Sequence, residues 1–144
     1  MAQEYRTYSP AYCFGCGAEN PIGLHLDIEF EEGGVARALF TPQRPHSGYP
    51  NMVHGGIVAT LLDEVLAQAV YNEREGAVTA KMETTFRRPL EPGETVEVRG
   101  WVESIRGRRI VSRGEIRRAE DGALIAEARG VFMSLRGGDT PGQG

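Results

Sequence analysis

The run His54-Gly55-Gly56-Ile57-Val58-Ala59-Thr60-Leu61-Leu62-Asp63-Glu64 combines a glycine-rich helix start with a carboxylate among apolar residues. The first N–H groups of a helix have no intrahelical partner and can hold a developing negative charge. A carboxylate held among apolar side chains is desolvated, which raises its basicity. Hydrolysis at an acyl carbon needs both. A preorganised backbone donor is worth about 3–4 kcal/mol to an oxyanion, and general-base assistance adds roughly 10²–10⁴-fold. Gly55 suits the first task and Asp63 the second. Glu64 is the rival carboxylate, but it points about a quarter-turn away, so the two cannot serve one carbon equally.

Gly55 and Asp63 are eight residues apart, or ~12 Å along a helix axis. Reacting groups must approach within ~3–3.5 Å. One helix cannot bring both to the same carbonyl, whereas two antiparallel copies can. A site of this kind therefore predicts a dimer with shared catalytic groups. Gly56, Thr60 and Ala67 share the helix face of Asp63, a stripe of small residues with room for an acyl chain or for close packing. His54, at the loop–helix junction, suits a positioning role.

The elements that must hold these groups follow from periodicity. Residues 55–74 carry Ile57, Val58, Leu61, Leu62, Val65, Leu66, Ala69 and Val70 at helical spacing. That stripe is wide enough to predict a helix buried on most sides. Glycine at its start opposes helix propensity and marks a backbone that comes close to something. Residues 1–22 read as an irregular lead-in. Leu24, Leu26, Ile28 and Phe30 alternate with polar residues and predict a strand, and 35–40 a second. The segment 41–51 reads as a loop. Four further strands are predicted at 78–88, 96–103, 110–117 and 124–133, joined by turns at Glu91-Pro92-Gly93-Glu94, Arg106-Gly107-Arg108 and Glu120-Asp121-Gly122. Short turns predict that these four form an antiparallel meander. The glycine-rich segment 137–144 reads as a disordered tail, leaving a single domain over 1–136.

An antiparallel sheet with one apolar face must cover it, and one long helix is available to do so. The economical solution is an α+β architecture, a curved sheet wrapped around a central helix. The net charge of −4 argues against a general nucleic-acid binder. No run reaches the length of a membrane span or a signal-peptide core, which predicts a cytoplasmic protein that does not enter membranes.

Cys13 and Cys16 are the only cysteines. Tetrahedral zinc needs further ligands, and His25, His46 and His54 are the histidines on offer. A redox C-x-x-C belongs at the start of a helix, which this turn-rich segment is not. The favoured reading is two reduced, partly buried thiols with no metal. Catalysis without a cofactor is the simplest account.

Three motifs in order resemble one family. They are Cys-Phe-Gly-Cys-Gly-Ala-Glu-Asn-Pro-Ile-Gly-Leu at 13–24, His54-Gly55-Gly56 with Asp63 nine residues after the histidine, and Phe86-Arg87-Arg88-Pro89-Leu90-Glu91-Pro92-Gly93. Together they resemble the hotdog-fold acyl-CoA thioesterases of the phenylacetate-pathway and thioesterase-superfamily type, from Cys13 to Met133. The resemblance implies a hotdog fold, an antiparallel sheet wrapped around one long central helix. It implies that Asp63 is the catalytic base or nucleophile, that the Gly55 N–H polarises the thioester carbonyl, and that His54 orients groups there. Some relatives carry an asparagine six residues before the histidine. Here that position is Gly48, and Asn51 is the neighbouring candidate for substrate contact, with Gly56 and Thr60.

An acyl-CoA substrate carries phosphates. Arg87, Arg88 and the Arg106–Arg109 turn are the candidate contacts. Tyr49, Phe86 and Trp101 are candidates to shape the acyl pocket. The implied partners are the acyl-CoA and a second copy of the chain, as a homodimer or a dimer of dimers. Two other readings compete: a hotdog hydratase or dehydratase using His54 and Asp63, and a non-catalytic acyl-CoA binding or sensing module.

Overall fold

The computed structural model describes residues 4–135. The predicted tail at 137–144 lies outside them. Strands β1 (Glu29–Glu31) and β2 (Val35–Phe40) come first, then a 3-10 turn at Arg44–His46 and helix α1 (Gly55–Glu73). Strands β3 (Ala77–Phe86), β4 (Val96–Arg106), β5 (Arg109–Arg118) and β6 (Leu124–Ser134) follow. One six-stranded antiparallel sheet in the order β1-β2-β4-β5-β6-β3 curves around α1, the hotdog arrangement. No helix among the described residues is long and apolar enough to cross a membrane.

Two expectations need correction. The alternation at 24–30 gives the burial of Leu24 and Leu26 correctly, but only Glu29–Glu31 joins the sheet. Upstream, Leu24 and Leu26 donate their N–H groups to the carbonyls of Phe14 and Gly15 instead. His25 between them takes a left-handed φ of 53° that interrupts the extended run. The second correction concerns the meander. β4, β5 and β6 form one, but β3 pairs with β6 at the far edge, not with its sequence neighbour β4. The chain between them, residues 87–95, is too long for a hairpin and crosses the end of the sheet. Its Leu90 is buried, and the Leu90 carbonyl accepts the N–H of Val53.

Inward residues of the sheet and the helix make one core. Leu61, Leu62, Val65 and Leu66 are completely enclosed against Val96, Val98, Ile110, Ile116, Ala126 and Phe132. The helix comes so close because the sheet offers no side chain beneath it. A Cβ on Gly100 would lie 2.6 Å from the Val65 carbonyl oxygen, and one on Gly114 2.5 Å from a Leu66 methyl. Gly100 and Gly114 face each other across β4 and β5, so the two vacancies form one groove. Beside them the buried Ser112 hydroxyl donates to the Leu66 carbonyl at 3.2 Å. Register irregularities near Ala80, Glu103 and Ile116 bend the sheet around the helix.

The convex face alternates out of this core and carries cross-strand ion pairs. Examples are Arg37–Glu97 at 2.9 Å and Arg99–Glu31 at 2.8 Å. Trp101 neighbours the inward Gly100, so alternation turns it to this outer face and away from any pocket beside the helix.

Gly100→Ala pushes a methyl against helix backbone, which cannot rotate away. It is expected to cost about 1–3 kcal/mol and to lower Tm by several degrees. Gly130→Ala meets first the tip of the Leu66 side chain, at 2.8 Å, and should cost less. Thermal unfolding of the two variants checks the order.

Candidate active site

Everything around the helix start is held by its preceding loop. Ser47 and Val53 form an isolated bridge, and the Gly48 N–H donates to the Met52 carbonyl at 2.8 Å. The His54 N–H donates to the His46 carbonyl at 2.8 Å. His54 is thereby delivered as the N-cap of α1, with φ −60° and ψ 133°. Its Nδ1 accepts the Gly56 N–H at 2.8 Å. The proton of the neutral ring therefore sits on Nε2, which is left as a donor. Gly48 lies against this ring, where a Cβ would come within 3.3 Å of Cδ2.

The four N–H groups that open the helix can be accounted for one by one. Gly56 is capped by His54 Nδ1, while Ile57 and Val58 both donate to the His54 carbonyl at 2.9 and 3.2 Å. Gly55 alone has no acceptor among the described residues. Gly55 borders an open pocket of about 820 Å³ lined in part by Tyr49, Met52, Val58, Phe86, Leu90 and Ile125. The Phe86 ring, at the end of β3, lies 3.6 Å from where a Gly55 Cβ would be. Phe86 and Tyr49 are 55% and 80% exposed, so the apolar wall stands open to solvent in the single protomer.

Asp63 is absent from this pocket, as the helix spacing requires. It is half-buried on a stripe with Gly56, Thr60 and Ala67 that stays partly open to solvent. The Thr79 hydroxyl donates to Asp63 Oδ1 at 3.0 Å, which leaves Oδ2 uncommitted among the described residues. Thr60 turns its hydroxyl back to the Gly56 carbonyl at 2.8 Å. No periodicity could have found Thr79, because its contact crosses from the edge strand to the helix.

Glu64 has a different neighbourhood. Its Oε1 accepts from the buried Gln68 amide at 3.3 Å, and Cys13 Sγ lies 3.8 Å from its Oε2. Gln68 also pins the lead-in by pairing with the Tyr8 backbone, donating to its carbonyl at 2.7 Å and accepting its N–H at 3.2 Å. Burial, with Glu64 beside it, pushes the Cys16 thiol well above its ordinary range. Among the described residues this cluster involves Glu64 and not Asp63, so the two adjacent carboxylates have separate surroundings.

The basic candidates separate too. Arg87 and Arg88 line the pocket. Arg87 is engaged by Glu127 at 3.1 Å, whereas Arg88 donates to the Leu124 carbonyl at 3.0 Å and has no acidic partner among the described residues. The Arg106–Arg109 turn lies at the opposite end of the helix, where Arg74 bonds the Gly107 carbonyl. It is thus remote from Gly55. Asn51, at φ 59°, lines an adjoining depression with Arg44, Pro50, Glu91 and Pro92, which shares Ser47 and Gly48 with the Gly55 pocket, and Asn51 does not itself line that pocket.

This architecture has relatives. Acyl-coenzyme A thioesterase THEM4 of Bos taurus is 29% identical over 135 residues, which is 92% of this chain and 55% of that protein. The chain spans about half the length of the curated THEM4 relatives from Bos taurus and Xenopus laevis that it matches. The crystal structure of protein RHA08564, a thioesterase superfamily protein, aligns with a TM-score of 0.81 at 32% identity, covering 86% of this chain and 61% of that one. A hypothetical thioesterase protein from Streptococcus pneumoniae TIGR4, solved with coenzyme A, aligns with a TM-score of 0.71 over 76% of this chain and 85% of that one. At 17% identity it shows the shared fold alone. The family model of the thioesterase superfamily matches residues 50–125, from the loop before His54 through the sheet to β6. With that match over the segment that builds the pocket, this chain belongs to the thioesterase superfamily.

Proposed function

We propose that this chain hydrolyses acyl-CoA thioesters at two equivalent sites of a homodimer. The Gly55 N–H of one protomer polarises the thioester carbonyl, and Asp63 of the other is the general base or nucleophile. The carrying observation is the Gly55 N–H, the one helix-opening donor without an acceptor among the described residues, on a residue that lines a largely apolar pocket. A helix terminus adds partial positive charge at that point. The THEM4 relatives, which are acyl-coenzyme A thioesterases by name, support an acyl-CoA as the substrate class.

Chemistry then follows from the residues. The carbonyl oxygen accepts from Gly55 N–H, with His54 Nε2–H as a second donor at the same rim. Asp63 either takes the proton of a water attacking the acyl carbon, or attacks through Oδ2 to form a mixed anhydride that water then cleaves to the free acid, restoring the carboxylate, Oδ1 being held by Thr79. The C–S bond breaks, and the CoA sulfur leaves and takes up a proton. Phe86, Val58 and Ile125 receive the acyl group, and Arg88 is the better placed cation for a CoA phosphate.

Two features support the dimer. Strand β3 ends the sheet, so one of its edges has no strand beside it, and Val78–Lys81 are all exposed. An uncovered edge of ten residues is a template for another chain. The open stripe Gly56-Thr60-Asp63-Ala67 lies on the helix next to that strand, as Thr79–Asp63 shows. Joining two copies along β3 sets the two stripes side by side.

Asp63→Asn should lower kcat for acyl-CoA hydrolysis by about 10²–10⁴-fold and leave the dimer and KM nearly unchanged. Thiol release from a panel of short, long and aryl acyl-CoAs, with sedimentation of both proteins, measures this. Full activity in the variant would remove Asp63 from the reaction. Gly55→Pro is the complementary change. Proline is welcome at the first helical position, and His54 already has the extended backbone that precedes a proline. The variant should keep its Tm, lose its oxyanion donor, and fall about 10²–10³-fold in kcat.

Mixing the two variants tests the shared site. Refolded together, Asp63→Asn and Gly55→Pro chains form hybrid dimers with one intact Gly55–Asp63 pair. Activity should reappear in the mixture although neither homodimer has it. A mixture of proven hybrid dimers as inactive as its parents would overturn the shared Gly55–Asp63 site.

A further inference from the structure

The described residues bring Cys13, Cys16 and Glu64 together, with one donor atom of each within 4.8 Å of the others. The thioesterase chemistry uses none of them. We propose that these three side chains form a zinc site that clamps the N-terminal lead-in to the central helix. The ligands would be both thiolates and the Glu64 carboxylate, with a water completing the tetrahedron on the half-exposed Cys13 side. The site does not depend on the thioesterase reading.

Three observations carry this. The spacing fits: at ordinary bond lengths a tetrahedral zinc separates a sulfur and an oxygen ligand by about 3.6 Å and two sulfurs by about 3.8 Å. Cys13 Sγ lies 3.8 Å from Glu64 Oε2 before any ion draws them in. Next, the loop is built for the approach. Gly17 N–H closes the turn on the Cys13 carbonyl at 2.8 Å, and Ser9 Oγ donates to the Cys16 carbonyl at 3.1 Å. Gly15 lies so near the Glu64 carboxylate that a Cβ would collide with it. Lastly, the cluster lacks a counterion. Among the described residues no arginine or lysine pairs with Glu64. Three groups able to carry negative charge thus meet in a partly buried place without a cation among the described residues.

Sequence reading found the C-x-x-C pair but sought its partners among the histidines. The third ligand comes from the helix, far along the chain, and only the fold brings it in. Binding breaks the two S–H bonds, forms two S–Zn bonds and one O–Zn bond, and sends two protons to solvent. No atom changes oxidation state.

The test is zinc titration of the full chain, stripped by chelator and kept reduced, against a chromophoric zinc indicator. Proton release and Tm are followed in parallel, and Co²⁺ substitution supplies a spectrum. The expected result is one zinc per chain, two protons released per zinc, and a raised Tm. Cobalt should give a thiolate-to-metal charge-transfer band with tetrahedral visible bands. Cys13→Ser, at a half-exposed position, should abolish the charge-transfer band of that thiolate. Glu64→Gln should weaken zinc by at least about 10-fold, the lower end of what even outer-shell losses cost. Should Glu64→Gln fail to fold, Glu64→Asp, which keeps the charge and shortens the reach, takes its place with the same expectation. Reduced protein that holds no zinc beyond the level of Cys13→Ser overturns the site. Binding indifferent to the Glu64 variants overturns its third ligand. A loss of two mass units in place of metal uptake would make the pair a disulfide and overturn the proposal as well.

Discussion

The central constraint is the closeness of helix to sheet. Gly100 and Gly114 remove the side chains that would hold α1 away, and Ser112 bonds the Leu66 carbonyl across the gap. Helix backbone therefore sits directly on strand backbone, and the depth of the helix is fixed by atoms that cannot change rotamer. Everything functional inherits that depth. Gly55 stands at the mouth of the pocket because the helix starts there, and Phe86 reaches it because β3 runs back alongside.

With one face committed to the sheet, the remaining faces of α1 have distinct roles. Glu64 and Gln68 hold the lead-in, which supplies Tyr8, Cys13 and Cys16. Gly56, Thr60, Asp63 and Ala67 run along the side next to β3 and stay partly open. Adjacent carboxylates on one helix thus acquire different surroundings without any difference in intrinsic chemistry. Capping makes a similar division at the helix start. His54 and its carbonyl satisfy three N–H groups and leave one, so selectivity among donors comes from ordinary cap geometry.

Much of this was legible in the residue pattern. Helical spacing of apolar residues gave α1 to within a residue, because one wide stripe leaves no competing period. The strands after it were found because their turns carry Gly93, Gly107 and Gly122, each at positive φ. The place of β3 was not legible, since alternation shows that a strand has an inner face but not which neighbour it pairs with. His25 shows another limit: Leu24 and Leu26 alternate like strand residues, yet their backbone partners lie in the lead-in. The separation of Gly55 and Asp63 along the helix was readable from spacing. Thr79 and the Glu64–Cys13 contact were not, because each joins elements far apart in the chain. Arg106–Arg109 and Trp101 illustrate the same gap, for composition cannot tell one end or face of a sheet from the other.

The strand order also has a consequence for synthesis. β3 is made soon after the helix, but its only partner among the described residues is β6, with Ala77 opposite Ser134. A chain emerging from the ribosome therefore holds a completed helix and a lone strand while most of the sheet is still unmade. Until β6 arrives, both edges of β3 and the part of the core that Ala126 and Phe132 complete are uncovered, a condition in which nascent chains aggregate. The last strand closes the fold in one late, long-range step of the kind that slows folding. A truncation within β6 should accordingly be felt first as lost yield in the cell, before any question of catalysis arises.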